Sequence, residues 1–490
     1  MKPIPLVLFG IPFHNVTFAE ALDWVEERIR ARVPAAIATA NLDFLMQAWS
    51  DPELRRLLTE SDLVIADGFP IVRASRRFGP PLQERVTGSD LTPMLAERCR
   101  DRGFGLFLLG GAPGVGEKAA AELVRRFPGL KIAGQYSPPL ADVIAMDHEE
   151  IRRRLREARP DLILVAFGAP KQEKWINMHI REWESGVAIG VGGTLDFLAG
   201  AQVRAPRWVQ RLSLEWLWRM LSNPRRLFRR YVQDLLFLVR ANRRLAALRR
   251  EPAGEPLAGR SDPAAMEDAL HNLGARLVPF PGLPEPGSAA AWLETSAPAA
   301  GSPSRVVDLS GADWLSSLEL GALVELSRAC RRLGGRVFLW NPRERTANLL
   351  RLFGLDSYMD IPASLAGLRL LLIELGAADR NGSVWRGPDG ALVLHLPAEL
   401  TAANVEDLRA LFEAAWYRAT TGARLARVAV EAARLRFIDT SGLGLLAAVR
   451  KKALDHGAEA RFDGFQGAPR RSAELARMNW LLGTDKKTGR

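Results

Sequence analysis

Up to about Leu245 the chain alternates short apolar runs with longer stretches whose apolar residues recur at helical spacing. The runs are Ala35–Ala40, Leu63–Ala66, Gly105–Leu109, Leu162–Phe167 and Val187–Val191. Helical patterning follows the first run through Leu58 and follows the third from Gly116 to Arg126. Apolar strands separated by amphipathic helices predict an α/β domain with a mostly parallel sheet. In such sheets ligands bind beyond the carboxyl ends of the strands, so chemistry is sought in the residues directly after each run.

Beyond Leu245 the pattern changes. Leu245–Pro263, rich in Pro, Gly, Ala and charge, reads as a linker, and a second break falls at Gly376–Gly382. Pro279–Pro303 reads as a long loop inside a domain. Between and after these breaks one plan occurs twice. Arg305–Leu309 and Arg427–Val430 are predicted strands, each followed by a turn and a Ser/Thr-containing loop that opens a Gly- and Leu-rich helix. Those helices are Trp314–Leu326 and Ile438–Val449, and the next strands are Arg336–Trp340 and Glu459–Phe462. The pattern is that of a duplicated small α/β module.

Charge locates a further element. Ala201–Arg250 holds 13 Arg, no Lys and two acids, Glu215 and Asp234, a balance of +11 that equals the net charge of the whole chain. Within it Trp208, Leu212, Trp216, Leu217, Met220, Leu221, Leu227, Phe228, Tyr231, Leu235 and Leu236 form an apolar stripe, with Arg on the remaining faces and Pro224 dividing two helices. Tryptophan beside arginine suits an anionic membrane surface, with rings at headgroup level and guanidinium on lipid phosphate. Packing of the stripe on the core, with solvated arginines, is the plainer alternative, and a nucleic acid is the one least favoured.

No stretch reaches the roughly 18 uncharged apolar residues of a spanning helix. The first residues lack the pattern of a secretory signal, and two distant cysteines, Cys99 and Cys330, suit a reducing, cytosolic compartment. Hydrophobic content of 48% and charged content of 25% exclude a disordered chain.

The strand ends carry candidate chemistry. Thr39 and Asn41 follow the first run and can hydrogen-bond a sugar or base, or cap a helix. Asp67-Gly68 follows the second, where a carboxylate can act as a general base, although Asp-Gly is also an ordinary turn. Arg85 precedes Thr87-Gly88-Ser89 and a helix predicted from about Leu91; it can clamp a phosphate while the loop offers N–H groups, or the segment is simply a capped helix. Gly110 and Gly111 open a glycine turn able to cradle phosphate, neither a strict GxGxxG nor a Walker A. Gln172 follows the fourth run and Asp196 the fifth. Six scattered His without ligand spacing, and no Asp-x-Asp before Leu245, give no metal site.

Taken together these segments resemble the WecG/TagA/CpsF glycosyltransferase family. The resemblance rests on TANLDFL (Thr39–Leu45), DLVIADG (Asp62–Gly68), ERVTGSDL (Glu84–Leu91), LFLLGGAPGVGEKAA (Leu106–Ala120), FGAPKQEKWI (Phe167–Ile176), GVGGTLDFLAG (Gly190–Gly200) and RAPRWVQRLSLEWLWRML (Arg204–Leu221). It implies a Rossmann-like α/β fold and an inverting, metal-independent transfer. The sugar, of N-acetylmannosamine type, passes from a UDP-sugar to a polyprenyl-diphosphate-linked acceptor in bacterial surface polysaccharide synthesis. The enzyme implied is peripheral on the cytoplasmic face of the cell membrane, needs no cofactor, and has an anionic membrane and the glycolipid as partners. By this resemblance Asp67 is the catalytic base and Arg85 holds the diphosphate. Thr39, Asn41, Gly110, Gly111, Gln172 and Asp196 serve substrate binding, and Arg204, Arg207, Arg211, Arg219, Arg225, Arg226, Arg229 and Arg230 serve membrane or diphosphate.

The C-terminal copies resemble the STAS module, the second through Phe437–Gly444 (FIDTSGLG). That resemblance implies a phosphorylation loop with Ser441 as acceptor, Thr440 being the second choice, and a STAS partner or serine kinase. In the first copy Ser316 aligns with Asp439 and Leu318 with Ser441, so the acceptor is gone, Glu319 replaces a glycine, and the copy is degenerate. The division expected is a glycosyltransferase core at 1–200, an Arg-rich helical appendage at 201–245, a linker at 246–262, a degenerate STAS domain at 263–372 and a STAS domain at 384–485. The rival reading is a partner-switching scaffold whose first domain binds a nucleotide sugar without turnover. Oligomeric state and the effect of the STAS pair are left open.

Overall fold

The computed structural model describes residues 3–77, 80–183, 186–202, 206, 209, 218, 224–257, 266, 270, 273–299, 301–376, 382–386, 391–420 and 425–483. The chain opens with an antiparallel hairpin, β1 (Leu6–Leu8) and β2 (Ile11–Phe13), turned at Phe9-Gly10. Six parallel strands follow: β3 (Ala35–Ala40), β4 (Leu63–Ala66), β5 (Leu106–Gly110), β6 (Ile132–Tyr136), β7 (Leu162–Ala166) and β8 (Val187–Gly190). They pair in the order β4-β3-β8-β7-β5-β6, so the chain runs outward from β3 to β4 and then crosses to β5 on the other side of the sheet, and the last strand, β8, closes the centre beside β3. β6 has no counterpart among the predicted runs. It is half-buried throughout, and its Gly134 lies where a Cβ would meet the Phe107 ring at 2.6 Å.

Both sheet faces are apolar because both are covered. Helices Phe18–Arg30, Gly88–Arg102 and Val115–Arg126 bury one face, while Lys171–His179 and His148–Ala158 bury part of the other with Trp175 at its centre. The predicted single helix to Leu58 is two, Leu42–Ser50 and Pro52–Glu60. Asp51 ends the first and caps the second, and Pro52 takes the first helical position, where its missing N–H costs nothing. The helix predicted from Leu91 starts at Gly88, capped by the Thr87 hydroxyl.

The segment after residue 200 continues as a 27-residue helix, Pro224–Arg250, which runs past Leu245 into the stretch read as linker. One face, with Phe237, Ala241, Leu245 and Leu248, packs on the hairpin and on helix Leu42–Ser50; the Phe237 ring stands 5.4 Å from that of Trp49. Among the described residues no helix is long and apolar enough to cross a membrane.

The two C-terminal modules repeat one plan. The first has three parallel strands, β9 (Ala275–Pro279), β10 (Ser304–Asp308) and β11 (Val337–Trp340). The second has β12 (Ser383–Arg386), β13 (Leu392–His395), β15 (Arg427–Glu431) and β17 (Glu459–Asp463), with a separate parallel pair of β14 (Glu399–Leu400) and β16 (Phe437–Ile438). Pro279–Pro303 is not one loop: helix Pro286–Ser296 crosses it, started by Pro286 and a capping box between Glu285 and Ser288. The break read at 376–382 lies mostly outside the described residues.

The first module shares a core with the N-terminal half. Leu318, Leu323, Leu326 and Leu350 belong to the same buried cluster as Leu8, Phe13, Leu54 and Leu58. Helix Ser317–Arg332 approaches the hairpin so closely that a Cβ on Gly321 would stand 1.7 Å from the Pro5 carbonyl oxygen. Glycine is what permits that approach.

Candidate active site

The carboxyl edge of the sheet gathers several of the predicted residues. Thr39, at the end of β3, is buried and donates its hydroxyl to the Gly190 carbonyl at the end of β8, 2.9 Å away. Asp67 extends β4 by one residue, its N–H on the Ala40 carbonyl at 2.9 Å. Its carboxylate faces the start of helix Gly88–Arg102, with Oδ2 3.4 Å from the Gly88 N–H. Gly88 lies against Thr39, where a Cβ would stand 3.4 Å from the Thr39 side chain. Thr39, Asp67 and Gly88 therefore form one wall. Arg85 is half-buried three residues before Gly88.

Asn41 does what its capping alternative required: its Oδ1 accepts the N–H groups of Asp43 and Phe44 at 3.0 and 3.3 Å. At the glycine turn Gly110 has a local architectural reason, since a Cβ there would lie 2.8 Å from the Ala166 backbone of neighbouring β7. Gly111 donates its N–H to the Ala166 carbonyl at 3.1 Å. Two polar groups of β6 and its exit join this turn and were not singled out from sequence. Ser137 donates to the Gly110 carbonyl at 2.9 Å, and Gln135 lies beside Gly116.

Gln172 is 2% exposed. Its Oε1 accepts the Gly192 N–H of the loop after β8 at 3.1 Å, while its Nε2 donates to Glu173 of its own helix at 2.8 Å. Asp196 sits in the short helix Thr194–Leu198, where burial pushes its carboxyl up. Arg204, Arg207, Arg211 and Arg219 lie outside the described residues. Arg225, Arg226, Arg229 and Arg230 fall in helix Pro224–Arg250, with Arg229 exposed.

Glu173 was not among the predicted residues, although it stands in a quoted motif next to Gln172. It is buried, its Oε2 has no hydrogen-bond partner among the described residues, and burial pushes its carboxyl up to about 7. The folded state thus holds a proton that the unfolded chain releases above 4.5. Stability is lost as pH rises from about 4.5 to about 7, on the order of 3 kcal/mol. Glu173→Gln, which keeps the shape without the charge, is expected to raise the midpoint of urea unfolding at pH 8 and leave it nearly unchanged at pH 4.5. Equal effects at both values would show that Glu173 does not titrate in this range.

The predicted phosphorylation loop is buried against the N-terminal half. Ser441 is 8% exposed in helix Thr440–Asp455, and Asp439 caps that helix by accepting the Gly442 N–H at 3.0 Å. In the first module Ser316 holds the same capping position, with a reciprocal bond to Glu319, so Leu318 stands two residues past the cap as Ser441 does.

A parallel α/β sheet with a carboxylate and a helix N-terminus at its carboxyl edge fits an enzyme of group transfer to or from a nucleotide-linked substrate. The comparisons define the class. The model of the glycosyl transferase WecG/TagA/CpsF family matches residues 6–251, and STAS domain models match 288–367 and 385–483. Three curated relatives bear the name N-acetylglucosaminyldiphosphoundecaprenol N-acetyl-beta-D-mannosaminyltransferase. That of Bacillus spizizenii is 34% identical over 39% of this chain and 73% of its own length. The protein from Staphylococcus aureus is 31% identical over 45% of this chain and 86% of its own, and that of Bacillus subtilis 31% over 44% and 83%. The chain belongs to the WecG/TagA/CpsF family: it is a glycosyltransferase followed by two STAS domains.

Proposed function

We propose that the protein transfers an N-acetylmannosamine-type sugar from its UDP derivative to a sugar already linked to a polyprenyl diphosphate, with inversion and without a resident metal. The observation that carries this reading is the placement of Asp67 at the carboxyl end of β4, facing the start of helix Gly88–Arg102. An acceptor hydroxyl attacking the anomeric carbon loses its proton to the Asp67 carboxylate as the bond to UDP breaks. Negative charge then grows on the leaving diphosphate. Arg85 and the N–H groups at the helix start and glycine turn are the groups that stabilise it, donors fixed before the reaction begins. Thr39, Asn41, Gly110, Gly111, Gln172 and Asp196 shape the pocket. Ser441 is the position for regulation by a serine kinase.

Work at a membrane surface is supported by helix Pro224–Arg250. Opposite its packed face, Phe228, Val232, Leu235, Leu236 and Val239 are exposed at 59, 39, 61, 47 and 41%, at spacings of four, three, one and three residues. Arg229, Arg240 and Arg243 flank them, also exposed. An apolar ridge bordered by guanidinium groups is suited to lie in an anionic headgroup layer, in this reading on the cytoplasmic face of the membrane.

The test is UDP release from a panel of UDP-sugars, with and without a polyprenyl-diphosphate-GlcNAc acceptor carried in anionic vesicles. Acceptor-dependent release with UDP-N-acetylmannosamine is the expected result, faster on anionic than on neutral vesicles. Tight UDP-sugar binding with no release for any pair would leave the domain a binding module and overturn the proposal.

A further inference from the structure

The N-terminus of helix Thr440–Asp455, in the second STAS domain, is met by two carboxylates, and only one is its own. Asp439 accepts the Gly442 N–H at 3.0 Å. Glu53, from helix Pro52–Glu60 of the catalytic domain, accepts both the backbone N–H and the hydroxyl of Thr440 at 2.5 Å. Around this pair the catalytic domain is specific. Lys174 Nζ lies 2.7 Å from Glu53 and 3.2 Å from Asp51, and Asn177 Nδ2 donates to Asp439 Oδ2 at 3.2 Å. Glu53 and Asp439 are each 2% exposed, and two residues past Asp439 the Ser441 hydroxyl oxygen is buried with no hydrogen-bond partner among the described residues.

We propose that Glu53, Lys174 and Asn177 form a docking site for this STAS loop that admits it only while residue 441 is uncharged, and that helix Lys171–His179 registers whether the loop is seated. The physical reason is competition for one pole. A helix N-terminus carries about half a positive charge and a few unpaired N–H groups, which Glu53 satisfies from another domain. A carboxylate or phosphoryl group on residue 441 satisfies them from within its own domain. It also adds negative charge to a buried helix start that the Glu53 and Asp439 carboxylates already occupy, where repulsion is weakly screened and a single Lys174 is already shared by two acids. The loop and the catalytic domain then repel where they had been joined.

Seating reaches the active site through one element. Lys174 and Asn177 stand on the helix whose first turn carries Gln172, and Gln172 holds the Gly192 N–H of the loop after β8. Releasing the STAS loop removes the interdomain partners of that helix and loosens its hold on residues 190–194. This inference stands independently of which sugar is transferred.

Hydrogen exchange on the full chain tests it, comparing wild type with Ser441→Glu, Ser441→Ala and Glu53→Gln. Ser441→Glu is expected to speed exchange about tenfold or more in residues 440–445, 171–179 and 190–194, the loss of one charge-assisted contact. Ser441→Ala is expected to match wild type, because the hydroxyl it removes makes no bond. Glu53→Gln should open the same three segments from the catalytic side, which keeps the test valid if Ser441→Glu fails to protect the strands β13 and β15. Unchanged exchange in both charge variants would overturn the docking site. Opening by Ser441→Ala as large as by Ser441→Glu would show that packing, not charge, controls the loop. Opening at 440–445 alone would overturn the link to the catalytic helix.

Discussion

Asp67→Asn is expected to lower acceptor-dependent UDP release by about 10²–10⁴-fold, the usual worth of a general base. The exchange of one oxygen for NH₂ is the smallest change that removes a proton acceptor. The amide of the variant can still offer an oxygen to the Gly88 N–H, which lies 3.4 Å from the native carboxylate, and the backbone N–H at this position still completes the ladder to Ala40. Binding of the UDP-sugar should therefore change little, and the loss should fall on kcat rather than KM. Exchange in residues 87–92 should match wild type, which separates a chemical effect from a local collapse. If turnover persists at a tenth of wild type or more, the base is another group and Asp67 only braces the helix start. Loss of binding together with turnover would instead give Asp67 a role in holding the substrate.

The frame that positions Asp67 could be read from the sequence because its signals are local. Leu63–Ala66 is an apolar run of strand length ended by Asp-Gly, and the structure places β4 on those four residues. Thr39 was likewise found by its position after Ala35–Ala40. Local signals also misled. Pro279–Pro303 looked like a loop because Pro and Gly dominate it, yet Pro286 at a first helical position starts a helix rather than preventing one. β6 was missed because a half-buried strand with glycine and glutamine has no apolar run to show.

What the sequence could not reveal is how the domains meet. Glu53 and Thr440 are 387 positions apart, and nothing in either segment marks the other. The motif FGAPKQEKWI showed Gln172, but the outward roles of Lys174 and Asn177 depend on a partner surface that only the fold brings into place. Gly321 is similar. Its place in a helix is a cost of about 1 kcal/mol against alanine, and the compensating contact, the Pro5 backbone, is in another domain.

Glu399 is where all three domains meet, and replacing it should have the largest effect on stability. Its carboxylate is 2.6 Å from Arg56 of the catalytic domain, and 3.2 and 2.5 Å from Arg331 and Arg336 of the first STAS domain. The four side chains are only 10–18% exposed, and the guanidinium groups overcome burial to hold the Glu399 carboxyl well below the usual range. Glu60 and Asp360 neutralise part of the remaining charge, and a cleft of about 490 Å³ opens beside the cluster. Glu399→Gln leaves three arginines around a neutral amide. Breaking a buried ion cluster from one side costs about 3–5 kcal/mol, a large share of the roughly 5–15 kcal/mol that holds a typical domain. The expected result is an early unfolding transition in which the second STAS domain separates first, seen as faster hydrogen exchange in residues 391–400 and 427–438 at temperatures where wild type is still protected. The pH dependence has the opposite sign to that of Glu173. A lowered carboxyl stabilises the fold above its unfolded value and is lost as pH falls, so wild type and Glu399→Gln should converge in acid and diverge near neutrality. Equal stability of the two chains at pH 7 would mean that the arginines are satisfied by solvent in the cleft. The junction would then rest on apolar contact and on the Glu53 dock alone.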